Sequence, residues 1–412
     1  MSAAAWDEAA VADLRDRTRE FIREVVLPAE PRPGAPLPDD AFAALRDRAR
    51  DAGVFAPHAP VGFGGLGLPL TAWSPIFQEA GYSVIGPAVL NLMAPDEGNM
   101  HLLHVVGTPA QHERYLAPLV RGEVRSSFAM TEPHPGAGSD PRALSTVAER
   151  VGGGWRITGR KRFISGARGA AFAIVMARTE AVGDHPAGAT MLLTPLDAPG
   201  ISIGPDIHTV EAAIAGGHPY LEFDGCFVPD EHVLGEPGEG FRYAQVRLGP
   251  ARLTHCMRWL GLARRALDTA LDRANGREMF GAKLRDLGVA QALLADSVID
   301  IETSDAMIDK AAAVLVAEPR AGEALSSVAK VHCSEAVYRV IDRAVQLCGG
   351  DGVTDALPLI QFLNEVRPFR IYDGSSETHR WAIARRAASA RSRDVDAGAT
   401  PLDAVTPRGS DS

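Results

Sequence analysis

The sequence predicts an α+β protein of several domains, arranged in the order helical, β, helical. With 412 residues, the chain is longer than one compact core usually serves. The hydrophobic pattern changes twice along it, near residue 123 and again near residue 241. Apolar residues recur with helical spacing before the first change and after the second, whereas short β-branched runs cut by Gly and Pro fill the middle. We therefore expect two helical domains on either side of a β domain.

The N-terminal helical domain is expected over residues 1–122. Its first long segment places five apolar residues on one helical face, namely Leu14, Phe21, Ile22, Val25 and Val26. Pro28 is expected to end this segment. The stretch GFGGLG at 62–67 has the spacing of a dinucleotide-binding fingerprint, but prolines flank it and no strand leads into it. The glycines therefore predict a tight loop between helices.

The middle β domain is expected over residues 123–240. Its strands are predicted from short runs such as WRITGRKRFISG, FAIVMAR, ATMLLTP and LEFDGCFVP. Phe163 and Ser165 lie two positions apart in the first of these runs, so on a strand both side chains face the same side. A ring and a hydroxyl presented together can lie against a flat cofactor and bond its edge. A core phenylalanine beside a hydrogen-bonded serine explains the pair equally well.

The C-terminal helical domain is expected over residues 241–390. Its long helical segments are separated by NGREMFG, PRAG and CGGDGV. After Ala388 the residues are small, polar and interrupted by Pro, so residues 391–412 are predicted to form a mobile tail.

Composition narrows the possible functions. Hydrophobic residues make up 46% of the chain and charged residues 23%, as in average globular proteins. The net charge of -10 and the lack of a basic stripe argue against nucleic-acid binding. The apolar runs are far shorter than a membrane span and the start MSAAAWDEAA is acidic, so we expect a cytoplasmic protein. Four widely spaced cysteines indicate neither a disulfide framework nor a metal site.

Several loops carry candidate functional residues. In SSFAMTEPHPGAGSD, backbone N–H groups beside Gly136 and Gly138, with the hydroxyls of Thr131 and Ser139, can receive a diphosphate or a flavin edge; an ordinary Gly-Pro loop is the alternative. NGREMFGAKL and VQLCGGDGV supply an arginine and paired glycines that suit a diphosphate, although surface arginines and helix-ending glycines are common. In FRIYDGSSETHR, Asp373 before Gly forms either an exposed turn or a carboxylate placed to act as a base.

Taken together, these stretches resemble the acyl-CoA dehydrogenase family. The resemblance runs in order over about residues 8–388 and is strongest in FAMTEPHPGAGSD, FDGCFVPDEHVLGEPGEGF, REMFGAKL, VQLCGGDGV and IYDGSSETHR. The segment LGPARLTHCMRWLGLARRALD resembles the branch that in animals is fused to a kinase-like domain. The resemblance implies a β-barrel-like middle domain, a C-terminal four-helix bundle and tightly bound FAD. It also implies a homotetramer or homodimer in which one subunit's bundle contributes to its neighbour's flavin site.

The resemblance implies roles for individual residues, matched motif by motif. The loop around the flavin ring and diphosphate is matched by Phe128, Met130, Thr131, Gly138 and Ser139, and the substrate contacts by Ser139 and Arg252. The ring and hydroxyl positions beside flavin N5, usually Trp and Thr, are matched by Phe163 and Ser165. Contacts to FAD across the subunit boundary are matched by Arg277, Phe280, Gln346, Gly349 and Gly350. Contacts to the adenosine half of the flavin are matched by Ser375 and Glu377.

The implied reaction is the α,β-dehydrogenation of an acyl thioester, in which a base removes the α-proton while a hydride leaves the β-carbon for flavin N5. In the family, the base stands either before Gly in the IYxG stretch or just before the substrate-lining Arg. The second position here is Ala251, which leaves Asp373 as the candidate base. We expect desolvation in an apolar pocket closed by a bound acyl chain to raise its pKa. Asp is one methylene shorter than the usual Glu, which moves the carboxylate back by roughly one bond length.

The leading prediction is an FAD-dependent acyl-CoA dehydrogenase of fatty-acid metabolism that passes electrons to an electron-transferring flavoprotein. One alternative is a flavin oxidase like nitroalkane oxidase, whose family also uses Asp at this position to deprotonate an acidic C–H before O2 is reduced. Another is a flavin-free scaffold that keeps the fold. Pocket shape, which no motif encodes, decides which acyl chain is accepted and whether CoA or a carrier protein bears it.

Overall fold

The computed structural model describes residues 6–32, 35, 37–211 and 216–396. A helical region, a β sheet and a second helical region follow one another along the chain, which confirms the predicted fold class. The N-terminal region contains α1 (Glu8–Phe21), α2 (Leu27–Ala29), α3 (Asp39–Asp51), α4 (Trp73–Gly81), α5 (Gly86–Val89), α6 (Asp96–Val106), α7 (Pro109–Gln111) and α8 (Ala117–Val120). Turns of π-helix at Ile22–Val26 and His112–Leu116 join α1 to α2 and α7 to α8.

The N-terminal segments fold much as their patterns predict. Leu14, Phe21, Ile22 and Val26 are buried, while Val25 is half-buried. The helical run ends at Ala29, directly after Pro28. The GFGGLG stretch forms a short 3-10 turn at Val61–Phe63 that ends at Gly64, whose φ of 103° places it in the left-handed region. The prediction of a tight loop between helices is therefore confirmed.

The middle region forms one eight-stranded sheet. Its strands are β1 (Ser126–Ala129), β2 (Val147–Val151), β3 (Gly154–Lys161), β4 (Phe172–Thr179), β5 (Gly188–Pro195), β6 (Ile201–Asp206), β7 (Pro219–Pro229) and β8 (Val233–Leu234). The order across the sheet is β6, β7, β3, β2, β4, β5, β8, with β1 paired in parallel to β4.

Strand β4 is buried on both faces because it lies between two cores. Ile174 and Met176 belong to the core shared with the helices, whereas Ala173, Val175 and Ala177 belong to the core of the sheet domain. Alternation of side chains along the strand separates the two sets. This explains why FAIVMAR is an almost continuous apolar run.

The C-terminal region is a bundle built around one long helix. Its elements are α9 (Gly240–Gly276), the hairpin β9 (Glu278–Met279) and β10 (Ala282–Lys283), α10 (Gly288–Ala317), α11 (Pro319–Cys348), α12 (Leu359–Val366) and α13 (Ser376–Asp396). Helix α9 has 37 residues and packs against α10 and α11 on one side and against α4 and α6 on the other. It therefore connects the bundle to the N-terminal domain.

The last helix extends further than the sequence predicts. A mobile tail was expected from residue 391, but α13 continues to Asp396, so that prediction is wrong for residues 391–396. The segment RRAASARSRD is rich in Ala and Arg, which are strong helix formers, and this favours continuation of the helix. The rest of the expected tail, residues 397–412, lies outside the described residues.

In the described ranges, none of the helices combines the length and apolar character that crossing a bilayer requires. The same ranges contain no group of three or more His, Cys, Asp or Glu side chains arranged to hold a metal ion.

Candidate active site

The turn before α13 holds Asp373 in a fixed place. Asp373 has a φ of 53° and Gly374 a φ of 94°, so both residues are left-handed. The Asp373 carbonyl accepts hydrogen bonds from Arg252 Nε on α9 at 3.3 Å and from His379 Nε2 on α13 at 3.0 Å. Lys330 Nζ on α11 donates to the Gly374 carbonyl at 2.6 Å. Side chains from three helices therefore fix the backbone from which the Asp373 side chain extends.

The Asp373 carboxylate is bonded to a histidine on α9. His255 Nε2 lies 3.0 Å from Asp373 Oδ2, and His255 Nδ1 is bonded to Arg258 Nη2. Burial and the charge of Arg258 lower the pKa of His255, so the imidazole is neutral at physiological pH. Because arginine only donates, Nδ1 is the acceptor and the ring proton sits on Nε2. His255 therefore donates its N–H to the carboxylate.

The charges around Asp373 keep its side chain ionised. Burial raises the pKa of the Asp373 carboxyl, but the hydrogen bond from His255 and the charges of Arg247 and Arg252 outweigh it. The pKa therefore lies well below its ordinary value. The raised pKa is expected for an apolar pocket closed by a bound acyl chain, whereas this carboxylate is surrounded by donors and cations.

Arg247 links the carboxylate to the middle domain. It is only 5% exposed, and its Nε donates to Asn99 Oδ1 at 2.8 Å. Its guanidinium carbon lies 4.2 Å from the ring centroid of Phe128, which was predicted to face the flavin. Asn99 Nδ2 donates in turn to Ser126 Oγ at 2.9 Å, at the start of β1. The cation that acts on Asp373 is therefore stacked on a predicted cofactor contact.

None of the sequence motifs marks His255, Arg258 or Arg247 as functional. The available signal was the three-residue spacing of Arg252, His255 and Arg258, which places them on one face of a helix. Only the fold shows that this face meets Asp373, because His255 and Asp373 are 118 residues apart in the chain.

A buried ion pair shapes the loop after β1. Lys161 Nζ lies 2.8 Å from Glu132 Oε1, both side chains are fully buried, and Nζ also donates to the Met130 carbonyl at 3.1 Å. The same carboxylate accepts from the backbone N–H groups of Ala137, Ser145 and Thr146. Burial raises the pKa of Glu132, but Lys161 and the hydrogen bonds outweigh it and lower the pKa to about 2. One carboxylate therefore fixes the path of the loop.

The tip of this loop is open. Gly138 and Ser139 are exposed, and a Cβ at Gly138 would meet nothing within 4 Å. Among the described residues, no acceptor is bonded to the backbone N–H of either residue. Thr131 is half-buried, and its carbonyl accepts from the Arg162 N–H at 2.8 Å. Free N–H groups on an open loop suit an anion such as a diphosphate.

Phe163 and Ser165 lie after β3 and not on it. The strand ends at Lys161 and Phe163 has a φ of 57°, so the prediction that both side chains share one face of a strand is wrong. The left-handed turn at Phe163 breaks the alternation on which that prediction relied. Phe163 is nevertheless 42% exposed, with its ring centroid 4.5 Å from the Arg162 guanidinium carbon. An exposed ring held in this way is available to stack on a flat group.

Ser165 belongs to a short hydrogen-bonded chain that no motif signalled. Its Oγ lies 2.9 Å from His218 Nδ1, and His218 Nε2 lies 2.9 Å from Glu211 Oε1. With the Nε2 proton donated to the carboxylate, His218 Nδ1 accepts the hydroxyl hydrogen of Ser165. The oxygen lone pairs of Ser165 are then what it presents to a neighbouring group.

Five predicted FAD contacts lie together at one end of the bundle. They are Arg277, Phe280, Gln346, Gly349 and Gly350, and all are exposed, Phe280 by 93%. An ion pair of 2.9 Å between Arg273 and Asp351 ties the end of α9 to the turn that contains the two glycines. Arg277 follows α9 directly and lies about 37 Å along the helix axis from Arg252. This end of the bundle is therefore remote from Asp373 of the same chain.

Ser375 and Glu377 lie at the start of α13, Ser375 just before the helix and Glu377 in its first turn. The Thr378 N–H donates to Ser375 Oγ at 3.2 Å, which is the bond of an N-terminal helix cap. The Glu377 side chain is 77% exposed in the first turn, 3.9 Å from Arg380. The Ser375 hydroxyl therefore helps to start the helix, while Glu377 extends from its surface.

The residues present fit FAD. The exposed ring of Phe163 supplies a flat apolar face, and the free N–H groups at Gly138 and Ser139 supply donors for a diphosphate. These are the two kinds of contact that a flavin dinucleotide needs.

Three family models match the chain in succession. They describe the acyl-CoA dehydrogenase N-terminal domain over residues 9–123, the middle domain over residues 127–226 and the C-terminal domain over residues 238–388. The chain belongs to the acyl-CoA dehydrogenase family. As a member of the acyl-CoA dehydrogenases, it is an oxidoreductase that acts on acyl-CoA, and the family implies FAD as the cofactor.

Individual acyl-CoA dehydrogenases align over most of the chain. The probable acyl-CoA dehydrogenase FadE2 of Mycobacterium tuberculosis is 36% identical over 386 residues, which cover 90% of this chain and 94% of that protein. Acyl-CoA dehydrogenase family member 11 of Rattus norvegicus is 33% identical over 92% of this chain, which spans only 51% of that longer protein. The solved structure of a putative acyl-CoA dehydrogenase from Mycobacterium abscessus has a TM-score of 0.86 at 32% identity, covering 94% of this chain and 100% of that one.

Proposed function

We propose that this acyl-CoA dehydrogenase oxidises an acyl-CoA, or a related acyl thioester, to the 2-enoyl thioester, with Asp373 removing the α-proton as the β-hydride leaves. The observation that carries the proposal is the state of the Asp373 carboxylate. It is ionised, bonded at one oxygen to His255, and 21% exposed at its side chain.

Asp373 is arranged to accept a proton at Oδ1. Its Oδ2 accepts the His255 N–H, whereas no described residue donates to Oδ1. The lowered pKa keeps the carboxylate in its basic form at neutral pH. A thioester with its α-carbon beside Oδ1 would transfer the proton to that oxygen while Oδ2 stays bonded to His255.

The cations near Asp373 favour the charge that develops on the substrate. As the α-proton leaves, negative charge moves onto the thioester carbonyl oxygen. Arg247 and Arg252 both act on the Asp373 carboxylate, and they are only 5% and 8% exposed. Buried charges act strongly because water screens them poorly. We expect the same two guanidinium groups to stabilise the enolate-like transition state.

FAD, when bound, supplies the acceptor for the β-hydride. Phe163 and Ser165 would contact the flavin ring, and the loop at Gly138 and Ser139 would hold the diphosphate. Phe128, Met130 and Thr131 would also line the site of the flavin ring and diphosphate. Ser375 and Glu377 would contact the adenosine half.

A second copy of the chain would complete the cofactor site. The exposed residues at the bundle end, which follow α9 and α11, are remote from Asp373 of their own chain. The same five residues would therefore hold the FAD of a neighbour in a homodimer or homotetramer. We further propose that Ser139 and Arg252 contact the substrate, that an electron-transferring flavoprotein reoxidises the flavin, and that the protein is cytoplasmic.

One observation favours a second candidate, an oxidase that acts on nitroalkanes. A base whose pKa is lowered removes a proton more readily from an acidic C–H than from the weakly acidic α-carbon of a thioester. Fast reoxidation of the reduced flavin by air, with no reduction by any acyl-CoA, would favour this candidate.

The deciding experiment is an anaerobic titration of the purified yellow protein with short, medium, long and branched acyl-CoAs, followed by the loss of flavin absorbance. Wild type is compared with Asp373→Asn, which keeps the side-chain shape and removes the base. Asp51→Asn is the matched control, since Asp51 is an exposed aspartate at the end of α3.

We expect wild type and Asp51→Asn to be reduced by at least one acyl-CoA, and Asp373→Asn to be reduced about 10³-fold more slowly. Equal rates for wild type and Asp373→Asn would refute the assignment of the base. A colourless protein that takes up no added FAD would instead identify the flavin-free scaffold.

A further inference from the structure

We propose that His255 is the positioning residue of the base: its Nε2–H holds Asp373 Oδ2 and thereby aims Oδ1 at the substrate α-carbon. This inference rests on the proposed function, in which Asp373 is the base. It assigns the orientation of the carboxylate to a residue on α9, and not to the segment that carries Asp373.

His255 is the group that contacts the carboxylate itself. Arg252 and His379 bond the Asp373 backbone carbonyl, and Lys330 bonds the carbonyl of Gly374. Among the described residues, the only hydrogen bond to a carboxylate oxygen of Asp373 comes from His255 Nε2. The other contacts place the backbone, so the rotation of the carboxylate depends on His255.

The remaining charged or titratable groups near Asp373 act without bonding its carboxylate. Arg247 on α9 is bonded to Asn99, and Glu97 on α6 accepts from Thr254 Oγ1. The hydroxyl of Tyr372, in the turn itself, accepts from Trp259 Nε1 at 2.5 Å. These groups affect the carboxylate only through their charges and dipoles. In the part of the chain that the structure describes, His255 alone orients it through a hydrogen bond.

The imidazole ring is itself held rigidly. Arg258, which is 2% exposed, donates to His255 Nδ1 from Nη2 and to Met93 Sδ from Nη1 at 2.5 Å. The ring centroid of His255 lies 4.8 Å from that of Tyr372 and 6.0 Å from that of Phe369. A donor locked in this way keeps the carboxylate in one orientation, which is what reactive geometry requires.

The arrangement also accounts for an aspartate at this position. The carboxylate of Asp373 already reaches His255 at 3.0 Å. One more methylene would advance the carboxylate by roughly a bond length and crowd it against the imidazole. The left-handed φ of 53° further favours aspartate, because Asp is among the few residues other than glycine that occur there readily. The length of the base and the position of His255 are matched to each other.

His255 orients the base and does not relay its proton. When the α-proton reaches Oδ1, the carboxyl becomes neutral, and Oδ2 still accepts the Nε2–H. His255 has no free site for a further proton, because Nδ1 accepts from Arg258. The proton therefore stays on Asp373 until the product leaves.

The test compares two amide substitutions, His255→Gln and His255→Asn. The glutamine amide nitrogen reaches the position of Nε2 and can donate to Asp373, whereas the asparagine amide is one methylene too short. Both are compared with wild type in flavin content and in the pH profile of flavin reduction by the acyl-CoA identified above. His104→Gln is the matched control, because His104 is an exposed histidine near the end of α6.

We expect His255→Gln to reduce its flavin within a few-fold of the wild-type rate and His255→Asn to be about 10²-fold slower. The acidic limb of the profile should move to higher pH in His255→Asn, because the carboxylate loses the donor that lowers its pKa. The acidic limb should stay in place in His255→Gln and in His104→Gln. A wild-type rate and profile in His255→Asn, or equal defects in both amide variants, would overturn the proposal.

Histidine NMR with ¹⁵N labelling gives a readout that needs no substrate. The His255 signals, assigned by their loss in His255→Gln, should show a neutral Nε2–H ring between about pH 7 and pH 9. A charged ring or an Nδ1–H ring in that range would overturn this inference. Failure of the proposed function is distinguishable, because it would leave the wild-type flavin unreduced by every acyl-CoA while the Nε2–H signal persists.

Discussion

Gly81 of α4 and Gly261 of α9 meet where the two helices cross, with no room for a side chain between the backbones. A Cβ at Gly81 would lie 2.0 Å from the Arg258 carbonyl oxygen, and a Cβ at Gly261 would lie 2.0 Å from the Gln78 carbonyl oxygen. These two glycines let α9 lie directly against the N-terminal domain. Arg258, whose side chain holds His255, is part of the crossing.

Gly261→Ala should therefore destabilise the protein by about 1–3 kcal/mol, the usual cost of adding a methyl group to a filled core. Unfolding in urea measures the change. Gly62→Ala is the control, because a Cβ at Gly62 would meet nothing within 4 Å. Equal free energies of unfolding for the two variants would show that α4 and α9 can move apart to accept the methyl group without loss of stability.

Removing the cation beside Glu132 should be more damaging. Lys161→Met leaves a fully buried carboxylate without its partner, which costs about 3–5 kcal/mol in comparable cases. The FAD content of the purified protein should fall as well, because the pair also fixes the Met130 carbonyl. The double variant Glu132→Gln with Lys161→Met should recover part of the stability, and an equally unstable double variant would argue against an unpaired charge as the cause.

Acidification should weaken the wild-type protein through the same carboxylate. The pKa of Glu132 falls from an ordinary 4.5 to about 2, so its stabilising contribution is complete above pH 4.5 and is lost as the pH drops toward 2. In Lys161→Met the pKa of Glu132 is higher, so protonation relieves the unpaired charge at a higher pH. The stability gap between the two proteins should therefore narrow as the pH falls, and a gap that widens would contradict this account.

Asp373→Glu should slow flavin reduction even though it keeps a carboxylate. The longer side chain crowds His255, and glutamate is less suited than aspartate to a φ of 53°. A loss of about 10²-fold in the rate is expected from a displacement near 1 Å. Stopped-flow spectroscopy measures the rate, and a variant as fast as wild type would show that the length of the base is not matched to His255.

Arg277→Ala should reduce FAD retention or dissociate the oligomer, because Arg277 lies with Phe280 on the exposed end of the bundle. Flavin absorbance per subunit and light scattering after size-exclusion chromatography report the two effects. Arg320→Ala provides the control, since Arg320 is an exposed arginine at the start of α11. If Arg277→Ala keeps both its FAD and its assembly, this end of the bundle does not serve a cofactor.

Local sequence patterns predicted the features that depend on neighbouring residues in the chain. Helical spacing and β-branched runs gave the order of the three regions, and Asp-Gly marked the left-handed turn at Asp373. The sequence did not indicate that β3 ends before Phe163, because the left-handed turn there is formed without a glycine. No motif indicated the lowered pKa of Asp373, because it depends on His255 and Arg247, which only the tertiary fold brings near.

Helix α9 runs unbroken from the groups that hold Asp373 to the exposed residue Arg277. If each cofactor is shared by two subunits, each site of a dimer takes Asp373 from one subunit and Arg277 from the other. Asp373→Ala and Arg277→Ala in the same subunit therefore damage different sites. A dimer with one subunit of each kind then contains one doubly defective site and one site with neither defect. Two inactive alleles expressed in one cell would therefore complement each other, because every mixed dimer has one intact site. Such complementation follows from the length of α9, which separates Asp373 from Arg277.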